Sequence, residues 1–191
     1  MAREEIVSSD SEELILVDDQ DREIGSDSKS ACHRGSGTLH RAFSIFVFNS
    51  DDQLLLQQRS ESKPLWPLYW SNTCCSHPRL GETMDVAVSR RLSQELGFEC
   101  DLTYLYKFQY QAQFGEIGAE REFCWVYVGY YDGLVDPNVS EIANWRLVDI
   151  KSLNEELAED ADRFTPWFKL EWSHIQDHHL DAILARRARA G

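Results

Sequence analysis

The sequence has no long hydrophobic run and little positive charge. Its first residues, Met1-Ala2-Arg3-Glu4-Glu5, do not resemble a secretion signal, and no later apolar stretch approaches the length that spans a bilayer. The chain has nineteen basic and thirty-three acidic residues, which gives a formal net charge of −14. We therefore expect a cytoplasmic protein that binds neither a nucleic-acid backbone nor an anionic membrane surface.

The five cysteines lack the spacing of a disulfide framework or a structural zinc site. Their number is odd, and no two of them form a CxxC pair. We expect reduced thiols. For Cys74, Cys100 and Cys124 the simplest interpretation is a small buried side chain.

Nothing in the sequence divides the chain into separate units. It has no internal repeat, low-complexity tract or Gly/Ser-rich linker, and 42% of its 191 residues are hydrophobic, enough for one substantial core. We therefore expect a single domain over residues 1–191, with a short N-terminal extension at about residues 1–10.

Apolar patterning predicts strands in the middle of the chain and helices around them. The predicted hairpins are 14–17 returning through Ile24, 39–48 with 53–59, and 102–113 with 120–131. The predicted helices are 82–96 with Gly97 as C-cap, 152–158, and 166 to about 187 after Thr165 as N-cap. This order indicates an α+β fold in which helices flank a mixed sheet.

Several histidines and two glutamates form a candidate metal site. The residues are His33, His40, His77, Glu120 and Glu122. Strand alternation puts the two carboxylates on one face, and a mixed set of imidazole and carboxylate ligands suits a divalent ion. Each histidine taken alone is more typical of an ordinary surface or core position, and an isolated Glu-x-Glu is more typical of a solvated strand face.

Other residues are candidates for proton transfer and anion binding. Cys75 lies two positions before His77 in the string Asn72-Thr73-Cys74-Cys75-Ser76-His77-Pro78, where it could donate or accept a proton or be simply buried. Arg91 and Glu95 share one helix face, which is often no more than an ion pair. Lys29, Arg59 and Lys63 add positive charge that could oppose a diphosphate if the fold brings them together.

These strings resemble, along nearly the whole chain, the type I isopentenyl-diphosphate isomerases, an offshoot of the Nudix fold. The matching segments are Lys29, Cys32-His33, Leu39-His40-Arg41-Ala42-Phe43-Ser44, Gln57-Gln58-Arg59-Ser60, Ser71 to Pro78, Gln94-Glu95-Leu96-Gly97, Glu120-Arg121-Glu122 and Thr165-Pro166-Trp167-Phe168. The resemblance implies a single Nudix-like domain that isomerises isopentenyl diphosphate to dimethylallyl diphosphate.

The helical Nudix motif, G-x5-E-x7-R-E-U-x-E-E-x-G-U with U a bulky aliphatic residue, is altered in this chain. Ser76 stands for the first Gly, Arg91 for the Glu after Arg, and Gln94 for the first Glu of the pair. The helix therefore lacks carboxylates that a hydrolase uses to gather magnesium around a scissile phosphate. A cation at position 91 favours holding a diphosphate over cutting it.

The resemblance also implies a role for each site residue. His33, His40, His77, Glu120 and Glu122 would bind one divalent ion, Mg²⁺, Mn²⁺ or Zn²⁺, and Glu95 would help to bind Mg²⁺ through the substrate diphosphate. Lys29, Arg59, Lys63 and Arg91 would bind the diphosphate. Cys75 and Glu122 match the two proton-transfer residues, Tyr110 matches a tyrosine that supports the carboxyl group, and Trp167 matches the indole that stabilises a carbocation.

Two other functions are also compatible with the sequence. A Nudix hydrolase would share the fold and the magnesium but needs more acids on the helix, and a silent metal-containing binding protein would not need Cys75, Glu122, Tyr110 and Trp167 together. The expected partner is a small isoprenoid diphosphate, and the expected state is a monomer or a weak homodimer. His174, His178 and His179 are interpreted as surface residues of the last helix.

Overall fold

The structure is a computed structural model that describes residues 3–187, and within that range it contains one nine-stranded sheet. The strands are β1 (Glu13–Val17), β2 (Glu23–Ser28), β3 (His40–Phe48), β4 (Leu54–Arg59), β5 (Trp70–Ser71), β6 (Cys74–Ser76), β7 (Leu102–Phe114), β8 (Gly118–Tyr130) and β9 (Ile142–Val148). The helices are α1 (Lys29–Cys32), α2 (Met84–Leu96), α3 (Ile150–Glu159), α4 (Pro166–His178) and α5 (Leu180–Arg187), with a 3₁₀ turn at Ala161–Arg163.

Strand β3 lies at the centre of the sheet. One edge pairs in parallel with β8 over nine residues, from His40 opposite Glu122 to Phe48 opposite Tyr130. The other edge pairs antiparallel with β1, then β6, then β4. Because both faces of β3 are covered, eight of its nine residues are buried and its sequence is apolar rather than alternating.

Helices cover both faces of the sheet. On one face, Phe43 and Ile45 of β3 pack in a cluster with Val88 and Leu92 of α2. On the other face, residues of β3 pack in a second cluster with α3, α4 and α5 that includes Trp172. The predicted mixed sheet flanked by helices is therefore confirmed, and the fold is a single layered domain.

The helix predicted over residues 82–96 is confirmed as α2, with its first residue at Met84 after Thr83. Gly97 ends it in the left-handed conformation, with φ +78°, as predicted for the C-cap. A Cβ atom at this position would lie 2.9 Å from Asp136 Cβ and from the Asp136 carbonyl oxygen. Both conformation and space therefore require glycine there.

Two sequence predictions need correction. The predicted hairpin of residues 39–48 and 53–59 is wrong beyond its turn, because only Phe48 and Leu54 pair and β4 then follows β9, a strand that the sequence did not predict. The edge of β3 that β4 would need is taken by β1 and β6. The single helix predicted from Pro166 is divided at His179, where φ is −128°, into α4 and α5.

The predicted cap of α4 is correct in position but not in bonding. Thr165 is the N-cap residue and Pro166 follows at the first helical position, yet the Thr165 side chain makes no capping bond to the helix. Its hydroxyl lies 3.0 Å from Ser71 Oγ instead, which ties the start of α4 to β5.

The first described residues pack against the domain. Arg3 donates to the carbonyl oxygens of Ser93 and Asp136, and Val7 is buried and accepts a 2.8 Å hydrogen bond from Arg91 Nη1. The five cysteines, all within the described range, are free thiols as predicted, although Cys100 is only half-buried. No helix among the described residues is long and apolar enough to cross a membrane.

A buried carboxylate joins the first hairpin to the sheet. Asp21, at the turn between β1 and β2, accepts from Arg41 Nε at 2.7 Å, Lys107 Nζ at 2.8 Å and Trp125 Nε1 at 2.9 Å. Its side chain is 2% exposed. One residue therefore connects the turn to β3, β7 and β8, and a charge buried in this way must be paired.

Replacing Asp21 by Asn should lower the free energy of unfolding by about 3 kcal/mol, because Arg41 and Lys107 lose their common counter-charge. Asn tolerates the positive φ at this position, +61°, so the backbone is preserved. Urea denaturation measures the change. Glu155→Gln, which removes the exposed pair with Lys151, is the control and should change stability by less than about 0.5 kcal/mol. Equal effects from the two variants would contradict the assignment.

Candidate active site

Three imidazoles and two carboxylates form one compact cluster. The residues are His33, His40, His77, Glu120 and Glu122, and one ligand atom from each lies within 4.8 Å of all the others. The ring centroids of the three histidines are 4.8 to 5.3 Å apart. The five residues proposed from the sequence as ligands of one ion are thus brought together from four separate segments of the chain.

Strand register places most of this cluster. Glu122 of β8 lies opposite His40 of β3 on one side and opposite Tyr110 of β7 on the other. The short strand β6 on the far edge of β3 leads directly to His77. Side chains on one face of three adjacent strands therefore meet, as strand alternation predicts for Glu120 and Glu122.

The loop that carries His33 reaches the cluster because β8 begins with a glycine. The Ala119 amide donates to the His33 carbonyl oxygen at 2.9 Å, and a Cβ atom on Gly118 would lie 2.4 Å from that same oxygen. Any larger residue at position 118 would push the His33 segment away from the sheet.

The cluster has the chemistry of a divalent-metal site. Within the described residues, the buried atoms His33 Nε2, His40 Nε2 and Glu120 Oε2 make no hydrogen bond, although His33 Nε2 and Glu120 Oε2 lie 2.8 Å apart. His40 Nδ1 donates to the Thr38 carbonyl at 2.7 Å, which leaves the Nε2 lone pair for a metal. Unpaired buried polar atoms are costly, and a cation would satisfy them together.

The pKa values of Glu120 and Glu122 are shifted in opposite directions. Burial raises the pKa of Glu122 well above its usual value, and the adjacent Glu120 raises it further. Although burial opposes the change, the His33 imidazole lowers the pKa of Glu120. Burial, and after it the neighbouring His33, lower the pKa of His40 to about 4, so its ring stays neutral.

Glu122 is held by hydrogen bonds at both oxygens. Tyr110 donates its hydroxyl to Glu122 Oε2 at 2.6 Å, and His77 Nε2 lies 2.9 Å from Glu122 Oε1. Burial raises the pKa of Tyr110 well above its usual value, so the phenol remains a donor. The carboxyl group is therefore fixed in orientation from two sides.

Cys75 lies in the same cleft and is half-buried. Burial raises the pKa of its thiol to about 12, although the nearby Arg59 guanidinium acts in the opposite direction. Arg59 Nη1 is 3.9 Å from the sulfur. Asn72 fixes the preceding turn by donating to the carbonyl oxygens of Ile45 and Cys74. The thiol is therefore protonated and held in a defined position.

An aromatic wall closes one side of the cleft. The Trp167 indole donates to Ser71 Oγ at 3.0 Å, and its ring meets Trp66 edge-on at 5.3 Å between centroids. Tyr110 is 6.3 Å away, and the Arg59 guanidinium lies 5.2 Å over the Trp167 ring. The ring face already contacts a cation, which is the interaction that a carbocation would require.

Basic side chains line the same cleft. The inner cavity, with a volume of about 60 Å³, is bordered by Lys29, Arg59, Lys63 and Arg91 together with Cys75, Tyr110, Glu122 and Trp167. A second cavity of about 370 Å³, here called the outer cavity, shares Lys29 and Lys63 with its lining. The cations proposed from separate segments thus converge beside the thiol and the carboxyl group.

Comparisons with known proteins identify the family. A NUDIX domain model matches residues 38–168. The chain is 40% identical to isopentenyl-diphosphate Delta-isomerase 1 of Photorhabdus laumondii over 174 residues, which are 90% of this chain and 99% of the relative. It is 48% identical to isopentenyl-diphosphate Delta-isomerase of Burkholderia multivorans over 157 residues, 82% of this chain and 89% of the relative. The chain belongs to the isopentenyl-diphosphate Delta-isomerase family.

Solved structures agree on the fold. A protein of Deinococcus radiodurans superposes with a TM-score of 0.64 at 24% identity, covering 78% of this chain and 90% of that one. The MutT protein of Methanosarcina mazei superposes with a TM-score of 0.52 at 17% identity, covering 61% and 81%. At these identities the likeness supports the Nudix fold alone.

The altered Nudix motif of this isomerase-family chain forms ion pairs on α2. Arg91 donates to Glu95 Oε1 through Nε at 3.0 Å, and the pKa of Arg91 is raised by Glu95 and Glu141 despite burial. Glu82 binds Arg90 at 2.6 Å. Glu95 lies behind Arg91, with Gln57 Nε2 3.5 Å away, and is outside the five-residue cluster. A magnesium role for Glu95 remains a prediction.

Sequence reasoning missed two buried acids near the cleft. Glu141 contacts Lys63 and Arg91, and Glu171 of α4 lies 3.4 Å from Cys124 Sγ. Burial raises the pKa of Glu171 to about 8. Neither residue belongs to a recognisable motif, so only their unexpected burial after folding draws attention to them. His174 and His178 of α4 and the C-cap residue His179 do not line the cleft, and His174 and His179 lie beside Tyr106.

A divalent ion should stabilise the fold through the His/Glu cluster. Adding Zn²⁺ or Mn²⁺ at about 100 times its dissociation constant should raise the free energy of unfolding by about 2.7 kcal/mol, because the ion binds only the folded cluster. Thermal unfolding across a metal titration measures this effect. His40→Gln should abolish the metal-dependent increase, whereas His178→Gln should keep it. An unchanged metal response in His40→Gln would contradict the assignment.

Anion binding should weaken as Lys29 loses its proton. Burial, with Lys63 and Arg91 nearby, lowers the pKa of Lys29 to about 8, so the amine is charged below that pH and neutral above it. The dissociation constant of inorganic pyrophosphate should therefore increase as pH rises through 8, as calorimetry can measure. Lys29→Arg, which stays charged, should remove this increase. If the wild-type constant stays flat between pH 7 and 9, Lys29 does not bind the anion.

Proposed function

We propose that this protein interconverts isopentenyl diphosphate and dimethylallyl diphosphate by moving protons on the carbon chain of the substrate. The single observation that carries the proposal is the cleft in which Cys75, Glu122 and the Trp167 ring stand beside four basic side chains. An enzyme that only bound or cut a diphosphate would need the cations but not a protonated thiol and an indole in the same cavity.

The proposed reaction has two proton transfers. One group donates a proton to the terminal alkene carbon, which leaves a tertiary carbocation, and a second group removes a proton from the allylic carbon to form the new double bond. Cys75 and Glu122 are the proposed pair. Because the reaction is reversible, each acts as the acid in one direction and as the base in the other.

The carbocation requires protection from water and a source of negative potential. Trp167 and Tyr110 are both buried, and their rings form one wall of the inner cavity. The face of an indole attracts a cation by about 2 kcal/mol or more when water is excluded. We propose that Trp167 stabilises the cation and that the aromatic wall excludes water.

Tyr110 is the proposed orienting group for Glu122. Its hydroxyl remains a donor and bonds only one of the two carboxyl oxygens, at 2.6 Å. The proton that Glu122 receives or releases is therefore directed to a fixed position. His77 contacts the other oxygen and supports the same orientation.

Two metal ions fit the proposal. We propose that His33, His40, His77, Glu120 and Glu122 hold one divalent ion, Mg²⁺, Mn²⁺ or Zn²⁺, and that Glu95 helps to hold Mg²⁺ on the diphosphate. A bound divalent cation supplies positive charge that stabilises the carboxylates and neutralises the phosphates. Lys29, Arg59, Lys63 and Arg91 are proposed to bind the remaining diphosphate oxygens.

The cleft concentrates positive charge in a protein whose formal net charge is −14. Anions should therefore bind inside this cleft and be repelled elsewhere, which favours a small diphosphate over a polyanion. We further propose that the protein acts in the cytoplasm, as a monomer or a weak homodimer, with no membrane or nucleic-acid partner.

Proton NMR in deuterated water tests the function directly. Purified protein with magnesium and isopentenyl diphosphate should yield dimethylallyl diphosphate that carries deuterium. Cys75→Ala should slow this conversion by at least about 100-fold, because it removes a proton-transfer group. Cys100→Ala, which removes a half-buried thiol outside the cleft, should keep wild-type turnover.

Other results would reject the proposal. Release of inorganic phosphate would indicate a hydrolase. Absence of any turnover in a folded, metal-loaded sample would indicate a binding protein, and full activity in Cys75→Ala would exclude the thiol from the reaction.

A further inference from the structure

Glu141 is a buried carboxylate that no part of the proposed reaction uses. It ends the loop before β9, is 4% exposed, and lies between two of the cations of the cleft. Its Oε2 is 3.1 Å from Arg91 Nη2 and also contacts Lys63 Nζ. A carboxylate buried at this depth must be paired, and both of its partners here face the substrate cavity.

The backbone of Glu141 also holds the loop that carries Lys63. The Ser60 amide donates to the Glu141 carbonyl oxygen at 2.9 Å, and the Lys63 amide donates to the Ser60 carbonyl at 3.1 Å. The loop and the lysine side chain are therefore attached to the same residue. Lys63 would lose its fixed direction without this carboxylate, because a lysine side chain has many rotamers.

Charge repulsion among the cations gives Glu141 a second effect. Burial lowers the pKa of Lys29 most, and the nearby Lys63 and Arg91 lower it further, whereas Glu141 raises it. The carboxylate thus offsets part of the repulsion that would otherwise separate these side chains in the absence of an anion. Glu12 acts on Lys29 in the same direction.

We propose that Glu141 is a positioning residue for substrate binding: an internal anion that holds Lys63 and Arg91 in place for the diphosphate. The inference rests on the proposed function for the identity of the substrate, but it concerns diphosphate affinity rather than proton transfer. Glu141 contacts the cations and does not line the inner cavity that holds Cys75 and Glu122. Its loss should therefore weaken binding and spare the chemical step.

Glu141→Gln is the primary test, because the amide keeps the size of the side chain and removes its charge. The KM for isopentenyl diphosphate should rise about 10-fold while kcat stays within about 3-fold, the pattern of lost uniform binding. The dissociation constant of inorganic pyrophosphate with magnesium, measured by calorimetry, should rise by a similar factor.

A matched control is the ion pair that joins α3 to β9. Glu156 binds Arg146 through both oxygens, at 2.8 and 2.6 Å, but this pair does not line the cleft. Glu156→Gln therefore removes a similar carboxylate–arginine pair and should leave KM and pyrophosphate affinity unchanged. An equal rise of KM and of the pyrophosphate dissociation constant in both variants would show that Glu141 has only a structural role, and would overturn the proposal.

A double-mutant cycle tests whether Glu141 acts through Lys63. Lys63→Met should raise the pyrophosphate dissociation constant, and adding Glu141→Gln should raise it by less than the product of the two single effects. Independent, multiplying effects would show that the carboxylate does not act through this lysine, and would overturn the proposal as stated.

The outcomes separate this inference from the proposed function. Calorimetry with pyrophosphate requires no turnover. If the wild-type protein failed the NMR assay, the isomerase proposal would be rejected, but calorimetry would still test the role of Glu141. If Glu141→Gln does not fold, Glu141→Asp retains the charge on a shorter chain and should show a smaller rise in the dissociation constant. Unchanged or tighter pyrophosphate binding in a folded variant would overturn the proposal.

Discussion

The parallel pairing of β3 with β8 is the constraint on which the rest of the site depends. It sets His40 beside Glu122, while the opposite edge of β3 pairs with β6 and sets Cys75 opposite Ser44. A shift of one residue would turn Glu122 to the other face and separate it from Tyr110 and the histidines. The buried apolar residues of β3 prevent that shift, because they pack against helices on both faces.

The local charge of the cleft depends on which charged side chains the fold buries there and not on the overall composition of the chain. An acidic chain places four cations around one cavity and then stabilises them with internal acids, Glu95 behind Arg91 and Glu141 between Arg91 and Lys63. Buried ions without partners would be costly, so the acids let the cations stay in place before an anion arrives. The same principle applies to the His/Glu cluster, where a divalent cation would satisfy ligand atoms that make no hydrogen bond.

The difference from a hydrolase lies in a few side chains on an unchanged fold. Position 91 carries an arginine and position 94 a glutamine where the general motif has glutamates. Because α2 carries fewer carboxylates, we propose that it helps to bind a diphosphate rather than to gather the metal ions for its cleavage. Residues from β6, β8 and α4 supply the proposed proton chemistry instead, which illustrates that a fold does not by itself determine a reaction.

The sequence by itself determined the family, the helix that ends at Gly97, and the five residues of the His/Glu cluster, because short-range patterns and motif strings carry that information. It did not predict β9, the separation of β4 from β3, or the break at His179, since strand partners and helix ends depend on distant packing. The sequence also does not indicate a role for Glu141 or Glu171. Burial decides the role of an ordinary acid, and burial exists only once the tertiary structure has formed.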